Sequence, residues 1–431
     1  MRLLAACLAL VALQAQTFDT LDQRVEQYMK SGGVPGAAIV VVKGGAVIHS
    51  RGFGVTSVET GTPVTTKTLF RLGSTAKMFV ALAALRLMDE GKLRLDQRVG
   101  DVLPDLAPAV QRVTIEQLLT HTAGFVDEAP MVGPLEESAL HARVKGWDER
   151  IFVAEPGEIY SYSSPGYALL GDVIAHLAKE PFSSAMQTLV FKPMGLKDAT
   201  FLPLEAFTRP VALGHDGNGV IRPFAEHAGN YPPGSLFISA EDLGRFLTTL
   251  PAETMERLAK PRATILTQDR QYGFALISDH RRGPRLVLHT GGRTGYGSIV
   301  LIAPEQRVAV AIVTNRTSAT LAPAAFTALE PYVQVNDLKP PATTPVPLPA
   351  GQAAAIAGTY ANGTYASVVL SEENGGLVVK FSGKSAPAIY VGGDRFYVPG
   401  GGQLETLLIV RDAQGAPRFL CVETWALRKR S

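Results

Sequence analysis

A chain of 431 residues, 46% of them hydrophobic, can build a large two-part domain and a smaller one, each around its own core. With a formal charge of +2 and no clustered basic stripe there is no electrostatic footprint for nucleic acid, which excludes that class of partner. The eight histidines show no His-x-x-x-His or Cys/His spacing, so no metal or other cofactor is expected.

The chain opens with one positive charge at Arg2, an apolar run from Leu3 to Leu13, and Gln14-Ala15-Gln16. That run has the length of a secretory h-region and is too short to cross a bilayer. Residues 1–15 therefore read as a signal peptide cleaved after Ala15. Export to the periplasm or out of the cell is expected, with no stable membrane span once the segment is removed. Leu4-Ala5-Ala6-Cys7 has the look of an acylation box, but too few residues precede Cys7 for that role. After cleavage only Cys421 is left, which rules out an internal disulfide.

Thr20 to Met29 reads as an amphipathic helix, and Ala37 to Val42 with Ala46 to Gly52 as two strands about the Lys43-Gly44-Gly45 turn. Ser74-Thr75-Ala76-Lys77 then opens a run of good helix formers that reaches Glu90, with Gly91 where a helix would stop. Residues three apart share a helix face, so Lys77 can present its amine to the Ser74 hydroxyl. A serine in a first helical turn also lies among unpaired backbone N–H groups, which suits a developing oxyanion. By itself the tetrapeptide is a weak signal, because a helix must begin with some capping residue. Two later segments give it weight. Pro156 to Tyr167 is rich in turns and carries Tyr162, a possible proton acceptor if a nearby cation lowers its pKa. Leu286 to Gly292 is an apolar strand that ends in small residues, an edge that a substrate backbone can approach.

Further strands are expected at Tyr272 to Ile277, Arg285 to Leu288, Ser298 to Ala303 and Val308 to Thr314, and a closing helix at Leu321 to Tyr332. Strands come from both ends of this region and a helical middle lies between them. The pattern predicts an α+β fold, an antiparallel sheet flanked by helices with an inserted helical region, and a cleft between the two parts. Residues 339–349 contain five prolines and read as a stiff linker. Beyond it, short runs between Gly-rich turns predict a small C-terminal all-β domain over 350–431, a barrel or a sandwich, with a structural or gating role.

Taken together, Ser74-Thr75-Ala76-Lys77, Val113 to Gly124, Tyr162 with its flanks, Ser239 to Phe246, His289-Thr290-Gly291 and Val308 to Asn315 resemble the serine beta-lactamase and penicillin-binding-protein superfamily. The likeness is to its class C and DD-peptidase-like branch and spans residues 18–335, the expected hydrolase domain. It implies the same sheet-and-helix architecture. Ser74 would be the acylated nucleophile, Lys77 its partner and Tyr162 the tyrosine of a Tyr-x-Asn motif. His289-Thr290-Gly291 would be the third motif, usually Lys-Thr-Gly, and the N–H groups of Ser74 and Gly292 the oxyanion hole. Ser164 stands where the family usually has an asparagine that contacts a substrate amide. Arg293, just past the third motif, either binds a substrate carboxylate or faces solvent.

The expected chemistry is acyl transfer through a covalent intermediate on Ser74, with Lys77 or Tyr162 as the base. The substrate is a small molecule or a peptide. Serine at 164 and histidine at 289 remove an amide contact and a permanent charge, so small esters and D-amino-acid-type peptides rank above beta-lactams. A beta-lactamase or penicillin-binding DD-peptidase is the alternative enzyme. A non-catalytic binding or assembly module of the same fold is the alternative of a different class, although such a module has no need of an activated serine. No Gly-x-Ser-x-Gly elbow occurs to suggest another hydrolase fold.

Overall fold

The computed structural model describes residues 18–130, 132–338, 344–363, 366–381, 383–400 and 404–430. The expected signal segment and the first part of the proline-rich stretch lie outside these residues. Among the described residues, no helix is long and apolar enough to cross a membrane.

An eight-stranded antiparallel sheet forms the frame. From edge to edge it runs Ala46–Gly54, Gly36–Lys43, Val308–Thr314, Tyr296–Ala303, Leu286–Arg293, Ile277–Asp279, Thr267–Tyr272 and Ala263–Ile265. Strands from the two ends of the sequence thus meet at the pairing of Gly36–Lys43 with Val308–Thr314. Side chains alternate between the two faces along a strand, and here both faces are covered. Ala38, Val40 and Val42 join one apolar cluster while Ala37, Ile39 and Val41 join another. The second cluster is closed by the helix over 18–32 and by the helix Ala322–Leu329. Burial on both faces explains why these strands read in the sequence as unbroken apolar runs.

The first cluster belongs to the helical region inserted between the second and third strands of the chain's contribution to the sheet. At its centre, the helix Lys77–Asp89 has buried residues at nearly every position from Lys77 to Leu87, as an all-round apolar helix requires. It packs against Ser164–Ala178, and Phe79 meets Phe246 of Ala240–Thr249 with ring centroids 4.4 Å apart and the planes tilted by 37°.

One predicted strand is corrected. Tyr272 to Ile277 is not continuous: one strand ends at Tyr272 and another begins at Ile277. Between them Gly273 N–H closes a turn on Leu276 O at 2.8 Å, and Ala275 has φ 60°. Its buried apolar residues Phe274, Ala275 and Leu276 serve the core from a turn instead of a strand. The preceding strand Thr267–Tyr272 is largely polar, which hid it from a search for apolar runs.

The C-terminal part is a closed eight-stranded antiparallel barrel from Gly358–Asn362 to Trp425–Lys429. Closure removes sheet edges, and the short helix Gln352–Ile356 packs against the barrel's own apolar core. The described end of the proline-rich stretch runs along it, with Val346 N–H donating to Tyr390 O at 3.0 Å.

The inserted region carries an ionic clasp. His141, on Ser138–Lys145, contacts Asp172 of Ser164–Ala178 at 2.8 Å and Asp105 at 3.1 Å. Partial burial works against a charged ring, but the two carboxylates outweigh it and raise the His141 pKa above its ordinary value. A raised folded-state pKa stabilises the fold below the unfolded value, about 6.5, and that contribution disappears as pH rises through the folded value. His141→Gln should therefore lower the thermal midpoint more at pH 6 than at pH 8.5, as read by scanning calorimetry across that range.

Candidate active site

Ser74 sits in a single 3-10 turn, Gly73–Ala76, that runs directly into the helix Lys77–Asp89. Its hydroxyl makes no capping hydrogen bond, so the helix does not need it. Lys77 Nζ lies 3.3 Å from Ser74 Oγ and donates to Pro233 O at 3.0 Å. The side chain is fully buried, with Nζ 4.8 Å from the centroid of the Tyr162 ring and 5.6 Å from that of Tyr167. Loss of hydration brings the Lys77 pKa down to about 7, with Asp127 opposing the shift and Arg293 adding to it. Tyr162 moves the other way. Burial holds its phenol well above the usual range, despite the Ser74 hydroxyl beside it, and its oxygen has no well-aligned hydrogen-bond partner. The sequence allowed a lowered tyrosine pKa; the structure lowers the lysine instead, because the amine is neutral when deprotonated and the phenol is not.

The third motif lies on the strand Leu286–Arg293. Its pairing with Tyr296–Ala303 runs from Val287 to Arg293, whereas Ile277–Asp279 on its other side reaches only Leu286 to Leu288. From His289 onward that second edge is free of a strand neighbour, as a substrate-approach edge must be. His289 and Gly291 are buried, and Thr290 and Gly292 alternate with them as exposed positions. The turn that carries Ser74 presses against this strand. Gly73, at φ 62°, has Gly292 N and O 2.9 Å from where a Cβ would stand, and a Cβ on Gly291 would come within 2.0 Å of Leu72 O. Glycine at both positions is what permits Ser74 and Gly292 to be neighbours. Thr75 Oγ1 and Ser298 Oγ, 2.7 Å apart, bond beneath the turn, and Ser298 Oγ also donates to Leu72 O at 2.5 Å.

Ser164 begins the helix Ser164–Ala178, and its N–H donates to Asp127 Oδ1 at 2.7 Å. Arg293 neither points freely to solvent nor stands alone. With Arg71 it flanks the buried Glu226: Nη2 donates to Glu226 Oε1 at 2.6 Å, while Arg71 Nη2 bonds Glu226 Oε2. Two guanidinium groups share one carboxylate, and desolvation together with Arg71 brings the Arg293 pKa down to about 10. Arg293 Nε is buried without a hydrogen-bond partner. His289 is neutral, its pKa lowered to about 3 by burial and then by Lys77.

Several contributors escaped the sequence reading. Arg71 and Glu226 are 155 residues apart and no spacing links them. Asp127 and the Tyr162 loop are each bonded to the barrel. Tyr162 N–H donates to Thr424 O at 2.8 Å, and Trp425 Nε1 to Asp127 Oδ2 at 3.1 Å. Asn362 is the hub. Its Oδ1 accepts from Asp127 N–H at 3.0 Å, and its Nδ2 donates to Ser161 Oγ at 3.2 Å and Ala426 O at 3.0 Å. Phe419, Cys421 and Ala426 of the barrel lie in the same apolar cluster as the helical region.

A family model for beta-lactamases matches residues 21–333. The chain belongs to the beta-lactamase family. Among characterised relatives it is 35% identical over 243 residues to penicillin-binding protein 4 of Amycolatopsis lactamdurans, a match that covers 54% of this chain and 61% of that protein. The chain thus spans less than two thirds of that relative's length. A crystal structure of SurE with D-Leu superposes with a TM-score of 0.77 at 24% identity, over 96% of this chain and all of the other. A D-alanine carboxypeptidase, AmpC from Burkholderia cenocepacia, gives 0.63 at 22% identity, over 74% of this chain and 99% of the other. At these identities the structures establish the shared fold. The SurE match extends across the barrel as well as the sheet-and-helix body.

Asn362→Ala should leave Ala426 O and the half-buried Asp127 N–H without these partners, at about 1–3 kcal/mol for a buried group, while Ser161 Oγ keeps its bond from Ala426 N–H. Urea unfolding should show a loss of several kcal/mol in stability.

Proposed function

We propose that this chain is a serine hydrolase that cleaves small esters or D-amino-acid-type peptides through an acyl-enzyme on Ser74, with Lys77 as the general base. One observation carries the reading: a fully buried amine with a pKa of about 7 stands 3.3 Å from a serine hydroxyl that has no capping duty. Near neutrality a large fraction of Lys77 is unprotonated and can take the Ser74 proton as Oγ attacks the carbonyl. The N–H groups of Ser74 and Gly292 hold the oxyanion. Lys77 returns the proton to the departing alcohol or amine, assisted by Tyr162, which its burial keeps protonated. Water then gives a proton to Lys77 and attacks the acyl carbonyl; as the bond to Ser74 Oγ breaks, Lys77 returns that proton to Oγ and the carboxylic acid leaves, which restores the free serine and the neutral amine. A binding module would gain nothing from an amine held neutral at this cost in desolvation.

For the substrate, the neutral His289 supports acyl groups that do not need a charge from the third motif. SurE was crystallised with D-Leu and the Burkholderia protein is described as a D-alanine carboxypeptidase. Both favour a D-amino-acid residue next to the scissile carbonyl. Beta-lactam hydrolysis and DD-peptidase activity are the alternative within the same mechanism. Assays on p-nitrophenyl esters, D-alanyl peptides and a chromogenic cephalosporin separate the three.

Ser74→Ala should abolish turnover and labelling by a fluorophosphonate, located by mass spectrometry, while the fold persists. Turnover in that variant would overturn the assignment. Because the neutral form of Lys77 is the active one, kcat/KM for an ester should fall about tenfold per pH unit below about 7 and level off above it. Lys77→Arg, charged at all working pH values, should be inactive throughout. Ser164→Asn should raise amide relative to ester turnover roughly fivefold, the worth of one hydrogen bond, measured as the ratio of the two kcat/KM values.

A further inference from the structure

Beneath the nucleophile, three side chains from distant parts of the chain form a hydrogen-bonded line. Tyr272 OH lies 3.1 Å from His121 Nε2 and 3.2 Å from His289 Nε2, and all three residues are buried. The proton positions follow from the backbone groups at the two ends. Ser163 N–H can only donate, so His121 Nδ1, 3.1 Å away, is the acceptor and the proton of a neutral His121 is on Nε2. Thr290 O can only accept, so His289 Nδ1, 2.6 Å away, carries the proton and its Nε2 is a bare acceptor. His121 therefore donates to the Tyr272 oxygen, and the Tyr272 hydroxyl proton goes to His289. Each polar atom of the line then has one role.

The line ties together two parts of the site. His121 holds the loop of Tyr162 on both sides, since its carbonyl also accepts Ser161 N–H at 2.9 Å. It does so from a left-handed backbone, φ 57°, a conformation uncommon outside glycine. His289 belongs to the strand that carries Gly292. Resting on the reading of Ser74 as nucleophile, we propose that Tyr272 is a positioning residue: by bridging two imidazoles locked in opposite neutral tautomers, it fixes the Tyr162 loop and the Gly292 strand edge relative to each other.

The surroundings suit neutral rings. His121 faces the rings of Tyr160, Tyr162, Tyr167 and Tyr272, and the positive charges near the pair are those of Lys77 and Arg270. A cation at either imidazole would face Lys77, with Asp127 acting on that lysine and no carboxylate among the groups that act on either ring, and would break the donor-acceptor order of the line. Burial and Lys77 push both imidazoles below the ordinary histidine range.

The test is nitrogen NMR on the full chain labelled in its histidines. His289 should show its proton on Nδ1 and His121 on Nε2, with neither titrating between about pH 5 and 8. Tyr272→Phe keeps the ring and deletes only the bridge. It should release His289 from its single tautomer and lower kcat for a p-nitrophenyl ester roughly fivefold with KM little changed, while Ser74 still labels with a fluorophosphonate. A wild-type His289 protonated on Nε2, or a Tyr272→Phe protein with unchanged tautomers and kcat, would overturn the proposal. If Tyr272→Phe does not fold, the wild-type tautomers decide. Failure of wild-type Ser74 to label would remove the hydrolase reading and leave the tautomers as a separate question.

Discussion

Burial of one ammonium group governs this structure. Lys77 begins a helix that is buried at nearly every position to Leu87, and the Tyr162 loop and the turn before Ser235 complete the shell around its amine. A charge taken from water so completely costs far more than one hydrogen bond to Pro233 O returns. The amine responds by giving up its proton near pH 7. Whatever closes the shell therefore sets the basicity of the group beside Ser74, and elements far away in the chain acquire a chemical consequence.

The same constraint accounts for the character of its neighbours. Tyr162, Tyr167 and Tyr272 are held protonated by burial, and His121 and His289 are held neutral. Permanent positive charge flanks these groups, with Arg71 and Arg293 sharing the carboxylate of Glu226 and Arg270 set against Asp279. Removing one partner from such a buried cluster leaves an uncompensated charge, which costs more than the pair contributed. The rings packed about Lys77 are thus polar and uncharged.

The barrel has a share in this arrangement. Thr424 and Asn362 hold the loop that carries Tyr162, Trp425 holds Asp127 beside it, and the bonds of Asn362 to Ser161 and Ala426 are buried. Shielding strengthens each bond and raises the cost of losing it. The barrel thus has a part in deciding where the Tyr162 phenol stands.

Much of the local story was legible in the sequence. Ser74 and Lys77 were brought together by helical spacing alone, and the strands Gly36–Lys43, Tyr296–Ala303 and Val308–Thr314 by their apolar runs. Proline and glycine punctuation marked off the C-terminal strands that close into the barrel. These are short-range properties: periodicity, propensity and turn chemistry act between near neighbours, and a single sequence displays them. The lowered Lys77 pKa, the hydrogen-bonded line of His121, Tyr272 and His289, the pairing of Arg71 with Glu226 and the grip of Asn362 on Ser161 were not displayed. Each depends on water being excluded by segments that are dozens to hundreds of residues apart, and on distances that no spacing in the chain encodes. The sequence determined which groups were present and which near neighbours could cooperate; only the tertiary structure decided which of them would be dry, and therefore which would hold a proton.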